Sequence, residues 1–475
     1  MALSKKLFAL AGLFAVLALG VATNFLGSLV WGVALVLVAV IFFYFYPQIS
    51  FYALVAYLPF QIALNLSSDI DLMSGRVLIL LLFGVWLVRS FKEKKFLLNK
   101  NTAGLALVLF FLIALLSVLV AQNPGWGLRK VLFFLSIFPL FFLTKAFISD
   151  APKTRKLLWV VVITATASAL LAFGQFLAQF IFSYQAVAGF WGQHLAALFW
   201  GQSFGQTVVQ NPSWYVNVGG QTLMRAVGLF PDPHMLAFYL GLTSPLVLVL
   251  AASAKKYRLW LAVVYLFLLI VLLLTFSRGG YLGLVLSVLA MLFLAWPRLG
   301  RPAKALLASF FTLVLAITAF SNLPVAGRFF SSFDISEGSN SDRLAIWQSS
   351  LAQTENNPLL GVGLGNYPLA INFNEDYRSA VTSHNLYLDI LVETGILGLA
   401  AWLWFMVSSA RNALGQDQGG DQFKAVLSVC LFGSLVYFAV HAIFETPIFN
   451  PTILAVLMIL AGLAAALPGS DKEKI

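Results

Sequence analysis

The sequence predicts an all-α protein, a polytopic transmembrane helical bundle of about 12–14 spans with one large extracytoplasmic loop region. Three observations lead there. Of the 475 residues, 61% are hydrophobic and only 10% charged, against about 25% charged in an ordinary soluble domain. The apolar residues gather in runs long enough to cross about 30 Å of hydrocarbon, where a backbone can bond only within its own helix. The net charge of +11 sits between those runs, where it orients spans instead of binding nucleic acid.

The first run, 7–23, follows Lys5 and Lys6 and has the form of a signal peptide, but more spans follow at once and it reads as a retained first span. Six more lie near 26–46, 50–66, 74–91, 103–121, 127–147 and 156–183. Seven follow near 234–253, 257–276, 279–296, 303–321, 386–410, 424–444 and 450–467, which makes fourteen. Lys and Arg collect on the cytoplasmic side of short loops. With the N-terminus inside, 21 of the 29 fall there, and outside remain Arg76, Arg129, Lys130, Arg225, Arg278, Arg328, Arg343 and Arg378. Both termini are then cytoplasmic.

Five parts follow: N-terminal spans in 1–183, a first long outer segment in 184–233, central spans in 234–321, a large outer loop in 322–385 and C-terminal spans in 386–475. Long ordered loops usually carry function. The first holds an aromatic stretch, Phe190-Trp191 through Phe199-Trp200, which reads either as an interfacial belt or as an amphipathic helix lying flat. The second predicts a helix near 342–355, started by the capping series Ser339-Asn340-Ser341-Asp342. Gly361-Val362-Gly363-Leu364-Gly365 then reads as a turn, since no strand precedes it and no Lys-Ser/Thr follows.

Cys430 is the only cysteine, which excludes an internal disulfide and a thiolate-rich metal site. His194, His234, His384 and His441 are scattered, with no paired-histidine motif, so neither metal nor other cofactor is expected. Outer-face basic residues are rare under the orientation rule, and each needs a reason. Arg225 precedes a membrane re-entry at Phe230-Pro-Asp232-Pro, and Arg278 stands in the turn Ser277-Arg278-Gly279-Gly280. Each side chain either snorkels to lipid phosphate or binds a ligand. His384 opens the span that begins near 386; it is either a cap or a functional imidazole that Asn385 and Asp389 orient. Asp389 and Glu393 share one helix face, and ionisable residues within spans are functional candidates by default. Gly395 and Gly398 give that helix a thin face for close packing.

The series His384-Asn385, nine residues, Gly395, two residues, Gly398 resembles the His-Asn/Ser/Gln-x9-Gly-x-x-Gly signature of O-antigen ligases. Arg225 before Gly228-Leu-Phe-Pro-Asp232-Pro, the Ser-Arg-Gly-Gly turn, and Asp342-Arg343-Leu-Ala-Ile-Trp347 with Pro358-Leu-Leu-Gly-Val-Gly-Leu-Gly also agree with that family, over roughly 225–400. The resemblance implies a GT-C-like fold in the bacterial inner membrane, with a periplasmic active site. It implies transfer of a glycan from an undecaprenyl-diphosphate donor to an acceptor hydroxyl, on lipid A core or another glycan, without metal, nucleotide or other cofactor. His384 would be the base and Arg225 and Arg278 would hold the diphosphate, with Asn385, Asp389, Glu393, Arg343 and Asp232 in support. The partners implied are that donor, that acceptor and membrane lipids.

The chemistry suits these residue types. A neutral imidazole can take the proton of an attacking hydroxyl, and guanidinium groups suit a departing diphosphate. Family members have about twelve spans, so two of the fourteen runs are expected to be re-entrant or peripheral. A glycan polymerase of the same fold is the nearest alternative. A lipid or sugar transporter would instead place ionisable residues near the bilayer midplane and show repeats.

Overall fold

A computed structural model describes residues 29–67, 70–93, 101–209, 211–218, 220–298, 338–372, 375, 381–415 and 421–466. Eight helices among them are long and apolar enough to cross a membrane: Ser74–Lys92, Thr102–Val120, Pro124–Phe147, Ala151–Phe182, Pro233–Ser253, Arg278–Ala295, Leu386–Leu414 and Gln422–His441. Leu29–Phe45, Arg258–Leu273 and Pro451–Ala466 are shorter apolar helices. The chain is an all-α multi-pass membrane protein. The runs at 7–23 and 303–321, with Arg328, Arg378 and the end of the chain beyond 466, lie outside the described residues.

Polar residues set the helix starts where the apolar runs alone could not. Asp150, Asp232 and Asp421 each take a backbone N–H of the first turn, and Asn101, Asn123 and Asn385 do the same. One expected span is absent. In the run 50–66 the helix Pro47–Tyr57 is eleven residues long, about 16 Å at the α-helical rise. It passes through a short 3-10 turn at Leu58–Phe60 into a hairpin of Ala63–Ser67 with Ile70–Met73. A second antiparallel hairpin pairs Tyr215–Val218 with Gln221–Met224. Hydropathy does not distinguish such short strands from span ends.

Pro233–Ser253 and Pro451–Ala466 are buried on nearly every side, as a helix apolar all round must be. Pro233–Ser253 packs on Gln422–His441, Arg258–Leu273 and Ala151–Phe182. Gln422–His441 also packs on Arg278–Ala295, and Leu386–Leu414 on Thr102–Ser117. The ends of these helices at 233, 278, 386 and 441 therefore come together at one end of the bundle.

Two further elements differ from the sequence reading. The helix Gly338–Asn356 is already running at Gly338, so the series 339–342 lies inside its first turn instead of preceding it. Gly395 is not a thin spot in a straight helix. It has φ +67° and ψ −172°, and breaks Leu386–Leu414 into two parts. The freed backbone groups bond to the glycine-rich turn: Val362 N–H donates to Val392 O at 2.8 Å, and Ile396 N–H to Pro358 O at 2.8 Å. The two backbones approach so closely that a Cβ on Gly395 would meet Leu360 N at 2.6 Å. Only glycine fits both the space and the dihedral.

The aromatic stretch likewise turns inward. Tyr184–Phe190, Ala196–Trp200 and Gln202–Val209 are short helices, and three indoles reach the loop that leads to Asp232. Trp191, Trp200 and Trp214 donate to the carbonyls of Gly228, Leu229 and Pro231 at 2.7, 2.9 and 2.8 Å. From the other side, Gln175 Oε1 accepts from Val227 N at 2.9 Å and Gln179 Oε1 from Met224 N at 2.8 Å. Buried amides and indoles with every polar end used in this way fix a loop that has no regular structure of its own.

Candidate active site

His384 stands in a bend just ahead of the Leu386–Leu414 helix, with φ +51°. That left-handed conformation is uncommon for a residue with a side chain, and such backbones cluster at functional sites. Its surroundings hold it there. Asn385 caps the helix by accepting from Tyr387 N and Leu388 N at 3.0 and 3.2 Å. Ser383 N–H donates to buried Asp389 Oδ1 at 2.8 Å, and Trp347 Nε1 donates to Ser383 O at 3.0 Å. Asn385 and Asp389, expected to orient the imidazole, act here through the backbone that carries it. They fix the backbone on either side of it.

The group that meets the imidazole is Glu445, which the sequence reading did not single out. Its Oε2 lies 3.0 Å from His384 Nδ1. Its Oε1 lies 2.9 Å from Arg343 Nη2 and 3.6 Å from His234 Nε2. The next residue, Thr446, donates through its hydroxyl to Asp389 Oδ2, so one carboxylate ties the His384 bend to the Glu445 segment. Glu445 is buried, whereas 41% of the His384 side chain is exposed. The imidazole is held from inside and reachable from outside.

This pairing sets the charge states. The hydrogen bond that His384 donates to Glu445 raises the His384 pKa above its ordinary value, against the burial that would lower it. Burial works to raise Glu445, but the facing His234, His384 and Arg343 overcome it and hold the carboxyl below the usual range. Burial pushes Asp232 up to about 6; its Oδ1 accepts from Met235 N at 2.9 Å at the head of Pro233–Ser253.

Three of the four histidines, scattered in sequence, converge here. His234 Nδ1 is 2.9 Å from Ser277 Oγ, and that oxygen is 3.1 Å from His441 Nε2. His441 lies flat against Phe238, with ring centroids 3.7 Å apart. No group of three or more His, Cys, Asp or Glu among the described residues is arranged to hold a metal ion.

Arg225 is buried beside this cluster, with its Nε donating to Thr275 O at 2.6 Å and Nη1 to Ser213 O at 2.8 Å. It joins the Ser213 turn to the turn that carries Ser277 and Arg278. Arg278 is the half-buried first residue of Arg278–Ala295. A Cβ on its neighbour Gly279 would meet His441 Cδ2 at 2.8 Å, so this turn lies directly against the segment leading to Glu445. Glu393 is elsewhere. It forms a 2.7 Å ion pair with Lys130, whose ammonium sits over the Phe449 ring.

The family model described as O-Antigen ligase matches residues 239–403 of the chain. Over that stretch the chain is similar to the O-antigen ligase family. Within the matched range lie Arg278, Arg343, His384, Asn385, Asp389 and Glu393, while Arg225, Asp232, His234, His441 and Glu445 fall outside it. No curated protein matches the chain. One sequence signal could have found the residues that were missed. His441 is an ionisable residue at the end of a predicted span, a functional candidate by default, and Glu445 follows four residues later.

Proposed function

We propose that the chain transfers a glycan from undecaprenyl diphosphate to an acceptor hydroxyl, with His384 as general base. The observation that carries this is the 3.0 Å contact of His384 Nδ1 with Glu445 Oε2 beside an exposed imidazole edge. With Nδ1–H donating to the carboxylate, Nε2 keeps its lone pair for the acceptor. As Nε2 takes the hydroxyl proton, the oxygen attacks the anomeric carbon and the bond to the diphosphate breaks. The diphosphate leaves as an anion and the configuration inverts. Arg278 and Arg225 supply the positive charge it needs. In this reading the site lies on the periplasmic side of the bacterial inner membrane, both termini are cytoplasmic, and the five-part division of the chain holds.

The test is turnover of an undecaprenyl-diphosphate-linked oligosaccharide with rough lipopolysaccharide as acceptor, using the purified full-length protein. His384→Gln keeps a hydrogen-bonding group but accepts no proton, and it is expected to lower kcat by about 10²- to 10⁴-fold with donor binding retained. A glutamine enzyme of near-native rate would remove His384 as the base. Transfer to a growing glycan in place of the lipid A core would make the protein a polymerase.

A further inference from the structure

The Ser277 hydroxyl has three polar neighbours and one proton. It accepts from Gly280 N at 3.3 Å and lies 2.9 Å from His234 Nδ1 and 3.1 Å from His441 Nε2. A hydroxyl donates once, so one imidazole nitrogen receives its proton and the other must present an N–H. Two arrangements satisfy this. In the first, Ser277 donates to His234 Nδ1, and neutral His234 then carries its proton on Nε2. In the second, His234 Nδ1–H donates to Ser277. A neutral His234 would then turn a bare Nε2 lone pair toward Glu445 Oε1, 3.6 Å away, a contact between two acceptors. The second arrangement therefore requires a doubly protonated ring. In both, Nε2 bears hydrogen.

We infer that His234 is a positioning residue that presents Nε2–H to Glu445, with Ser277 and His441 fixing its tautomer. Glu445 Oε1 is then held by Arg343 at 2.9 Å and faces the His234 N–H at 3.6 Å, which leaves Oε2 aimed at His384. The brace spans four elements: the start of Pro233–Ser253, the start of Arg278–Ala295, the end of Gln422–His441 and the segment after it. The charged and titratable groups around it are Arg225, Asp232, Arg343, His384, Asp389 and His441. Without His234 the Glu445 carboxylate loses one of its stabilising neighbours, and its field on His384 strengthens. The acid limb of the rate profile then moves to higher pH, opposite in sign to the loss of Glu445 itself.

Two measurements test this, and only the second rests on His384 being the base. Nitrogen NMR of the full-length protein in nanodiscs, with labelled histidine and the His234 signal identified by its loss in His234→Gln, reads the tautomer directly. A protonated Nε2 at neutral pH is expected, with Ser277→Ala mixing the tautomers and Ser277→Thr restoring one. A bare Nε2 in the wild-type protein overturns the inference whatever the enzyme does. In the transfer assay, His234→Leu is expected to raise the acid limb by about 0.5–1 pH unit, and His234→Gln to stay near native because its amide N–H can replace the ring's. If His384→Gln abolishes transfer but His234→Leu leaves the limb in place, the base reading stands and the brace falls.

Discussion

Glu445 decides how basic His384 is. Its hydrogen bond raises the His384 pKa, against burial and the nearby Arg343, which lower it. Glu445→Gln removes the raising influence and leaves the lowering ones, so the imidazole becomes a weaker base that stays neutral to lower pH. With His384 as the proposed base, the acid limb of kcat/KM should move below its wild-type position, while kcat falls by about 10- to 100-fold because the imidazole is both weaker as a base and less well held. Measurement of the rate from pH 5 to 9 checks both effects. An unchanged limb would mean that Glu445 serves only to hold the fold. Arg343→Lys keeps a charge but not the planar fork, and a fall in kcat of about 10-fold is expected.

At the scale of elements, the break at Gly395 and the turn 358–365 form a single unit. Alanine at 395 would have to adopt φ +67° and displace the Leu360 backbone. The expected cost is about 3 kcal/mol, from left-handed strain together with the close backbone contact. Thermal unfolding of the detergent-solubilised protein measures it, and an undiminished midpoint would mean the helix can straighten there. The tryptophan clamp on 228–231 works in smaller steps. Trp200→Phe removes one indole donor from Leu229 O and should cost about 1 kcal/mol. Its larger effect is expected on turnover, because that loop carries Asp232 into the site.

Across the whole molecule, the site gathers at helix ends opposite those that carry Arg155, Lys156, Lys256 and Lys424. Cys430 is buried, so single introduced cysteines can report sidedness against a quiet background. Ala352 is exposed on the helix Gly338–Asn356. Ala352→Cys is expected to react with an impermeant maleimide added to intact spheroplasts, and Lys256→Cys only after the membrane is opened. The reverse pattern would invert the orientation and place the site in the cytoplasm. Under the proposed mechanism, in which Arg225 and Arg278 offset the charge of the leaving group, excess EDTA is expected to leave transfer unchanged; loss of activity that magnesium restores would mean that a metal shares that task.

The sequence by itself determined what depends on local composition. Apolar runs had to become helices because a bilayer offers the backbone no other partner, and eleven of the fourteen runs are apolar helices among the described residues. It also marked His384 by motif, and Arg225 and Arg278 by motif and by their departure from the expected charge pattern of the loops. Only the tertiary structure decided who their partners are. Glu445 lies 61 positions from His384, and Ser277 lies 164 positions from His441. Hydropathy records neither separation, since packing at the ends of different helices brings these residues together. For the same reason Asn385 and Asp389, adjacent to His384 in sequence, proved to hold its backbone while a distant carboxylate held its ring.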